Sequence, residues 1–222
     1  MVESIPVSAV VACHACPRRY YFERSMKRDE SPRYTVAKQI ASHLGTPLDP
    51  DRIWQEVLYV FPGADAEVRA FFDDCVAACR RSRWKIAVES DVTVASEKLG
   101  IHGRVDRIFD GGASFAVVRS SPAPRAGAYA SDRIRIACYA ACLAGTLGRE
   151  VSGGYVEYIP SGVSRLVEPQ PRDRREMLRA LRAAQQVAAG DLPPRPFRAP
   201  CEGCLYAERC QAGSARRLSD LF

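Results

Sequence analysis

Thiols set at short, irregular intervals are the first residues in this sequence that could do chemistry. Cys201-Glu202-Gly203-Cys204 is followed by Cys210, and far upstream stands Cys16-Pro17-Arg18-Arg19-Tyr20-Tyr21. A metal centre needs deprotonated sulfurs that converge on one point, and the Pro and Gly among these cysteines keep a regular element from carrying them apart. Cys16, Cys201, Cys204 and Cys210 therefore read as one four-cysteine site joining the first and last parts of the sequence. A four-iron, four-sulfur (4Fe-4S) cluster suits one distant cysteine plus a compact triplet, because it needs four thiolates but no matched pairs. Structural zinc is the rival: Cys13-His14-Ala15-Cys16 and Cys201-Glu202-Gly203-Cys204 are also two C-x-x-C knuckles. The plainest alternative is that some of these are buried free thiols. Cys210 and the residues after Cys16 weigh toward iron–sulfur.

Positive charge is the second resource. The net charge is +6, and of 32 basic residues only Lys27, Lys38, Lys85 and Lys98 are lysines. Arginine's planar fork grips phosphate bidentately. A general preference for arginine would give the same count, so charge alone locates no binding face. Arg18 and Arg19 stand beside Tyr20, Tyr21 and Phe22, a basic pair next to rings that could stack on bases or pack beneath the metal site.

The elements that must position these groups fit one large domain. The 222 residues are 47% hydrophobic and 26% charged, which excludes a disordered chain. No apolar run approaches the roughly 18 residues of a membrane span, and no secretory leader is seen, so a cytoplasmic protein without membrane association is expected. In that reducing compartment the nine cysteines point to metal ligation and buried thiols rather than disulfides.

A first helix is expected after Ser4, with Ser8 as its cap and Pro17 early in a following turn. Helices are predicted over 34–44, with Val36, Ile40, His43 and Leu44 on one face, and over 66–83, where Cys75 and Cys79 lie on the core stripe. Strands follow over 86–95, 99–109 and 114–119, with Asp110-Gly111-Gly112 as a hairpin turn. Residues 120–127 read as a loop, and 131–147 as a helix capped by Ser131 or Asp132. A hairpin turns at Pro160-Ser161-Gly162 between strands 153–159 and 163–167. An amphipathic helix over 172–190 buries Leu178, Leu181 and Val187, and a stiff lead over 193–200 reaches the cysteine triplet.

This order, together with Cys-Pro-Arg-Arg-Tyr-Tyr at 16–21, Gly103-Arg104-Val105-Asp106 and the terminal C-x2-C-x5-C, resembles the CRISPR-associated iron–sulfur exonucleases. These form a branch of the RecB-like PD-(D/E)XK nucleases. The resemblance implies an α+β or α/β fold with a mixed central sheet flanked by helices. It divides the chain into a cluster-binding segment at 1–33, a core at 34–192 and a cysteine-triplet segment at 193–222. It implies Mg2+ or Mn2+ held by His43 and Asp106, with Glu89 as an auxiliary acid, a suitable oxygen-rich set for hard cations that activate water.

The sequence departs from the family where the Glu-x-Lys pair should stand and Val117-Val118-Arg119 is found. Valine cannot ligate a metal, and arginine is a poor proton shuttle. The Gln-x-x-x-Tyr helix motif becomes Arg135 to Tyr139, with only the tyrosine kept. The expectation is a degenerate nuclease centre in which Arg119 and Arg135 grip phosphate near Tyr139. Arg18, Arg19 and Tyr20 would add contacts to single-stranded DNA or DNA ends in spacer acquisition for antiviral defence, alongside CRISPR integrase proteins. Two alternatives stand beside it: an active metal-dependent exonuclease that trims DNA ends, and a zinc-stapled protein-interaction module.

Overall fold

The protein is represented by a computed structural model that describes residues 4–26, 30–109, 114–196 and 199–212, with side chains described as far as Cys210. The elements run β1 (Ile5–Pro6), α1 (Val7–Ala15), α2 (Pro17–Glu23), α3 (Pro32–Ser42), α4 (Pro50–Val60), α5 (Ala66–Arg80), β2 (Glu89–Ser96), β3 (Ile101–Ile108) and β4 (Phe115–Arg119). They continue with α6 (Ala130–Leu147), β5 (Gly154–Tyr158), β6 (Val163–Val167), α7 (Pro171–Ala188) and α8 (Ala207–Ala212).

One mixed sheet carries the site. Its strand order is β1-β3-β4-β5-β6, with β2 paired to β3 as well. β2 runs antiparallel along all of β3, from Glu89 opposite Ile108 to Ser96 opposite Ile101. The free edge of β3 is therefore shared by two partners: β1, parallel, at Ile101 and His102, and β4, antiparallel, at Arg107 and Ile108. Neither strand pairs with residues 103–106. β4 and β5 are parallel and joined through α6, and β5 and β6 close as an antiparallel hairpin.

Helices cover both faces. α1, α6 and α7 pack one core with Phe115, Val117, Val156 and Tyr158 of the sheet. On the other side Val36, Ile40, Ile53, Val57, Phe72, Cys75 and Cys79 pack against Val118 and Ile159. β4 is thus buried on both faces, which explains why its sequence is a continuous apolar run instead of an alternating one. Arg107 pins the sheet to the second helical layer. Its Nη1 donates to Glu157 Oε1 at 2.6 Å, and its Nη2 donates to the carbonyls of Leu44 and Lys85. The α+β arrangement, a mixed sheet flanked by helices, is the one expected. Among the described residues no helix is long and apolar enough to cross a membrane.

Several local expectations change. Residues 5–6 form a short strand and α1 starts at Val7 behind Pro6, so Ser8 lies inside the helix and caps nothing. α6 begins at Ala130 with no side-chain cap, because Asp132 is buried and turned to other partners. α4 is not among the helices expected from sequence, yet Asp49 accepts from the amides of Asp51 and Arg52, Pro50 opens the helix, and Ile53 and Val57 are buried one turn apart. Leu178 is exposed and Met177 takes its place in the core. The Asp110-Gly111-Gly112 turn lies outside the described residues.

Candidate functional site

The site forms where β3 and β4 part. After Arg107↔Ala116 the two strands pair no further, and the Asp106 carboxylate enters the opening. Its Oδ2 accepts the backbone N–H of Val118 at 2.6 Å, the donor that a continued ladder would have used. Its Oδ1 accepts from Lys38 Nζ at 2.7 Å and from the Tyr34 hydroxyl at 3.4 Å. Tyr34 and Lys38 are one turn apart on α3, on the side opposite the buried Val36 and Ile40, so the helix that fills the second core also delivers these two groups. Gly103 is glycine for a packing reason. A Cβ there would stand 2.8 Å from the Tyr139 ring and 3.3 Å from Val7.

Beside Asp106 opens a cavity of about 210 Å³ walled by Ser8, Tyr34, Arg104, Arg119, Arg135 and Tyr139. Arg119 and Arg135 share one carboxylate, the fully buried Asp132, at 2.9 and 3.6 Å. The closer contact is an ion pair without hydrogen-bond alignment. Asp132 Oδ2 also accepts from the Tyr158 hydroxyl at 2.9 Å. Burial, and next the neighbouring Arg119, lower the Arg135 pKa, while Asp132 opposes them. Burial pushes the Tyr139 phenol up to about 12, with the Asp106 charge adding to it, and Tyr34 is raised by the same two causes. Both phenols therefore stay protonated; Tyr34 gives its proton to Asp106, which leaves Tyr139 as the phenol able to donate to an anion.

The structure thus brings Asp106, Arg119, Arg135 and Tyr139 to one cavity and leaves two expected partners outside it. His43 ends α3 with its Nε2 2.7 Å from Glu56 Oε2 on α4. Glu89, the first residue of β2, is exposed and stands opposite Ile108. The acid nearest Asp106 on that strand is Asp91, which accepts a hydrogen bond from Lys38. The sequence reading missed Lys38, Asp91, Tyr34 and Asp132. The one available signal was that Lys38 is among only four lysines. Asp106, whose oxygens are taken by Lys38 and Val118, with Val117 in the second ligand position and His43 turned to Glu56, does not make the oxygen-rich set that Mg2+ or Mn2+ requires.

The cysteines behave differently. Cys16, Cys201, Cys204 and Cys210 line a single cavity of about 30 Å³ with Arg19, Phe22 and Arg195. The Cys16 sulfur caps α2, accepting from the Arg19 amide at 3.4 Å, and Arg195 donates to the Cys201 sulfur at 3.4 Å. Phe22 stacks on Tyr206, 5.8 Å between centroids. Arg18, expected to meet phosphate, is instead buried and donates to the carbonyls of Pro193 and Cys210, so it clasps the upstream segment to the cysteine segment. Arg19 pairs with Glu23 at 2.7 Å, and Tyr20 packs on the first core. Cys13 points away into that core, and burial raises its thiol to about 12. The two-knuckle arrangement that zinc would favour is thus not assembled. Among the described residues no group of three or more His, Cys, Asp or Glu side chains is close enough to share a single ion. A cluster in which each of four irons takes its own thiolate asks less of the sulfur spacing than a lone zinc, whose sulfurs all lie at about 2.3 Å from it. Four thiols around one cavity, next to a guanidinium, supply the donor set of such a group.

No curated protein matches this sequence. The model of the PD-(D/E)XK nuclease superfamily matches residues 4–211, almost the whole chain, and the protein belongs to that superfamily.

Proposed function

We propose that this protein is a DNA-binding member of its superfamily that holds the phosphate backbone, at single strands or strand ends, with little or no cleavage. The observation that carries the reading is the wall of the 210 Å³ cavity, where Arg104, Arg119 and Arg135 surround the one carboxylate that remains, itself bound to Lys38. Hydrolysis of a phosphodiester by this superfamily's chemistry needs a metal-bound water, and a metal needs oxygens. Val117 and Val118 supply none. Guanidiniums, an ammonium and the Tyr139 phenol are instead donors, suited to phosphate oxygens.

Cys16, Cys201, Cys204 and Cys210 would hold a 4Fe-4S cluster. When bound, the cluster supplies a covalent staple that closes a loop of nearly the full chain, on the order of several kcal/mol of fold stability. Arg18, Phe22 and Tyr206 support the staple by docking the same two segments without it. The cysteine frame and Gly103-Arg104-Val105-Asp106 resemble those of the CRISPR-associated iron–sulfur proteins, and that resemblance supports a role in which binding of DNA ends would serve spacer acquisition with integrase partners.

The test is a titration of fluorescently labelled single-stranded DNA at several salt concentrations. Binding that weakens steeply with salt, and weakens by about tenfold or more in Arg119→Met or Arg135→Met, is expected. No binding at low salt would overturn the proposal and favour a protein-interaction module.

A further inference from the structure

We infer that Lys38 is the resident cation of the Asp106 centre. Its ammonium takes the place of a divalent ion with half the charge, and the pocket holds phosphate with no metal bound. The inference rests on the phosphate-binding reading above for its purpose, but its geometry stands apart from it.

Lys38 Nζ lies between two carboxylates, 2.7 Å from Asp106 Oδ1 and hydrogen-bonded to Asp91 Oδ1. Two carboxylates directed at one point are the start of a site for a hard divalent cation, and here that point is filled by the protein's own side chain. The lysine is held against a cost. Burial works against its charge, yet Asp106 and then Asp91 outweigh burial and keep its pKa above that of ordinary lysine.

Asp91 supplies a second observation. Its φ is 57°, the only positive value among the described non-glycine residues. At that residue the β2–β3 ladder skips one pair, between Ser90↔Arg107 and Val92↔Val105. A side-chain-bearing residue in the left-handed region persists only where its surroundings impose it. Here the imposed conformation goes with a carboxylate that meets Lys38.

The neighbouring groups add no free ligand beside Lys38. Asp106 Oδ2 is occupied by the Val118 amide at 2.6 Å, and His43 is engaged by Glu56. A divalent ion that bridged Asp106 and Asp91 would have to displace Lys38. The ammonium also has a consequence for the larger cavity. It pairs with Asp106 and Asp91 together and leaves one net negative charge where an open pair would carry two, so the guanidiniums of Arg104, Arg119 and Arg135 receive a bound phosphate against less opposing charge. Removal of Lys38 would leave Asp91 and Asp106 as an open oxygen pair, repelling phosphate until a divalent ion bridged them.

The experiment uses the full chain, wild type and Lys38→Met, with two readouts. These are fluorescence anisotropy of a labelled single-stranded oligonucleotide in EDTA or in Mn2+, and electron paramagnetic resonance of free Mn2+ to count bound ion. Wild-type affinity should change by less than about twofold between EDTA and Mn2+, and wild type should take up no Mn2+ at this centre. Lys38→Met should bind DNA about tenfold or more weakly in EDTA, acquire a Mn2+ site, and regain affinity when Mn2+ is present. Uptake of Mn2+ by wild type that disappears in Asp106→Ala would overturn the inference, and this arm does not depend on the Lys38 variant folding. Lys38→Met binding in EDTA as tightly as wild type would overturn it as well. Wild type that binds no DNA in any condition would instead overturn the phosphate reading, while the Mn2+ count would still decide the role of Lys38.

Discussion

Replacing Asp132 by asparagine separates charge from shape at the point where the two site arginines meet. Asp132 is fully buried, 2.9 Å from Arg119 Nε, 3.6 Å from Arg135 Nη1 and 2.9 Å from the Tyr158 hydroxyl. Asparagine keeps the volume and one oxygen for Tyr158, so the variant chiefly loses the negative charge between two guanidiniums. Breaking a buried ion pair by removing one partner destabilises by about 3–5 kcal/mol. The Arg119 side chain is 27% exposed, so water screens part of the loss and the lower end, about 3 kcal/mol, is the expected magnitude. For a chain of this size that corresponds to a melting temperature lower by about 6–12 °C. Thermal unfolding followed by circular dichroism in a chloride buffer measures it. Added inorganic phosphate should recover more of the stability of Asp132→Asn than it adds to wild type, because the anion then stands in for the missing carboxylate. A variant that melts within a degree or so of wild type, with phosphate affecting both equally, would refute the assignment of Arg119 and Arg135 to a common anion site.

Three further outcomes follow from the same geometry. Cys204→Ser should purify colourless, with its iron lost and its solubility reduced, whereas Cys13→Ser, whose thiol faces the core, should keep the iron content of wild type by metal analysis. Burial holds the thiols of Cys13, Cys75, Cys79 and Cys138 at about 12, so iodoacetamide at pH 8 should leave these four unmodified in the native protein by peptide mass spectrometry, raising the pH to 9 should not expose them, and denaturation should. Gly103→Ala places a methyl group 2.8 Å from the Tyr139 ring, and urea unfolding should show a loss of about 1–3 kcal/mol together with weaker DNA binding.

The fold was largely legible because its cues are local. Val68, Phe71, Phe72 and Cys75 mark α5 by their spacing, and Pro160-Ser161-Gly162 marks the last hairpin turn. Where the reading fell short, the cause was local or long-range in turn. α4 carried its own signal in Asp49-Pro50 with Ile53 and Val57, which went unread. The parallel pairing of Ile5 with Ile101 and the buried Arg107–Glu157 pair join residues far apart in sequence, and no spacing announces them. The site divides along the same line. Asp106, Arg119, Arg135 and Tyr139 could be placed by motif, but Lys38 reaches Asp106 from a helix 68 residues away, and Asp132 sat where a helix cap was expected. For His43, helical phase gives its face and the resemblance gives its role, but neither says which neighbour it meets. In the structure that neighbour is Glu56.

The most direct test is a time course of end-labelled single-stranded DNA with the purified full chain in Mg2+ or Mn2+, run beside Asp106→Ala. The DNA should be bound and remain at full length, with wild type and variant alike in the absence of product. Metal-dependent shortening of the strand that vanishes in Asp106→Ala would contradict the account, because it would mean that the centre between β3 and β4 still gathers a catalytic ion.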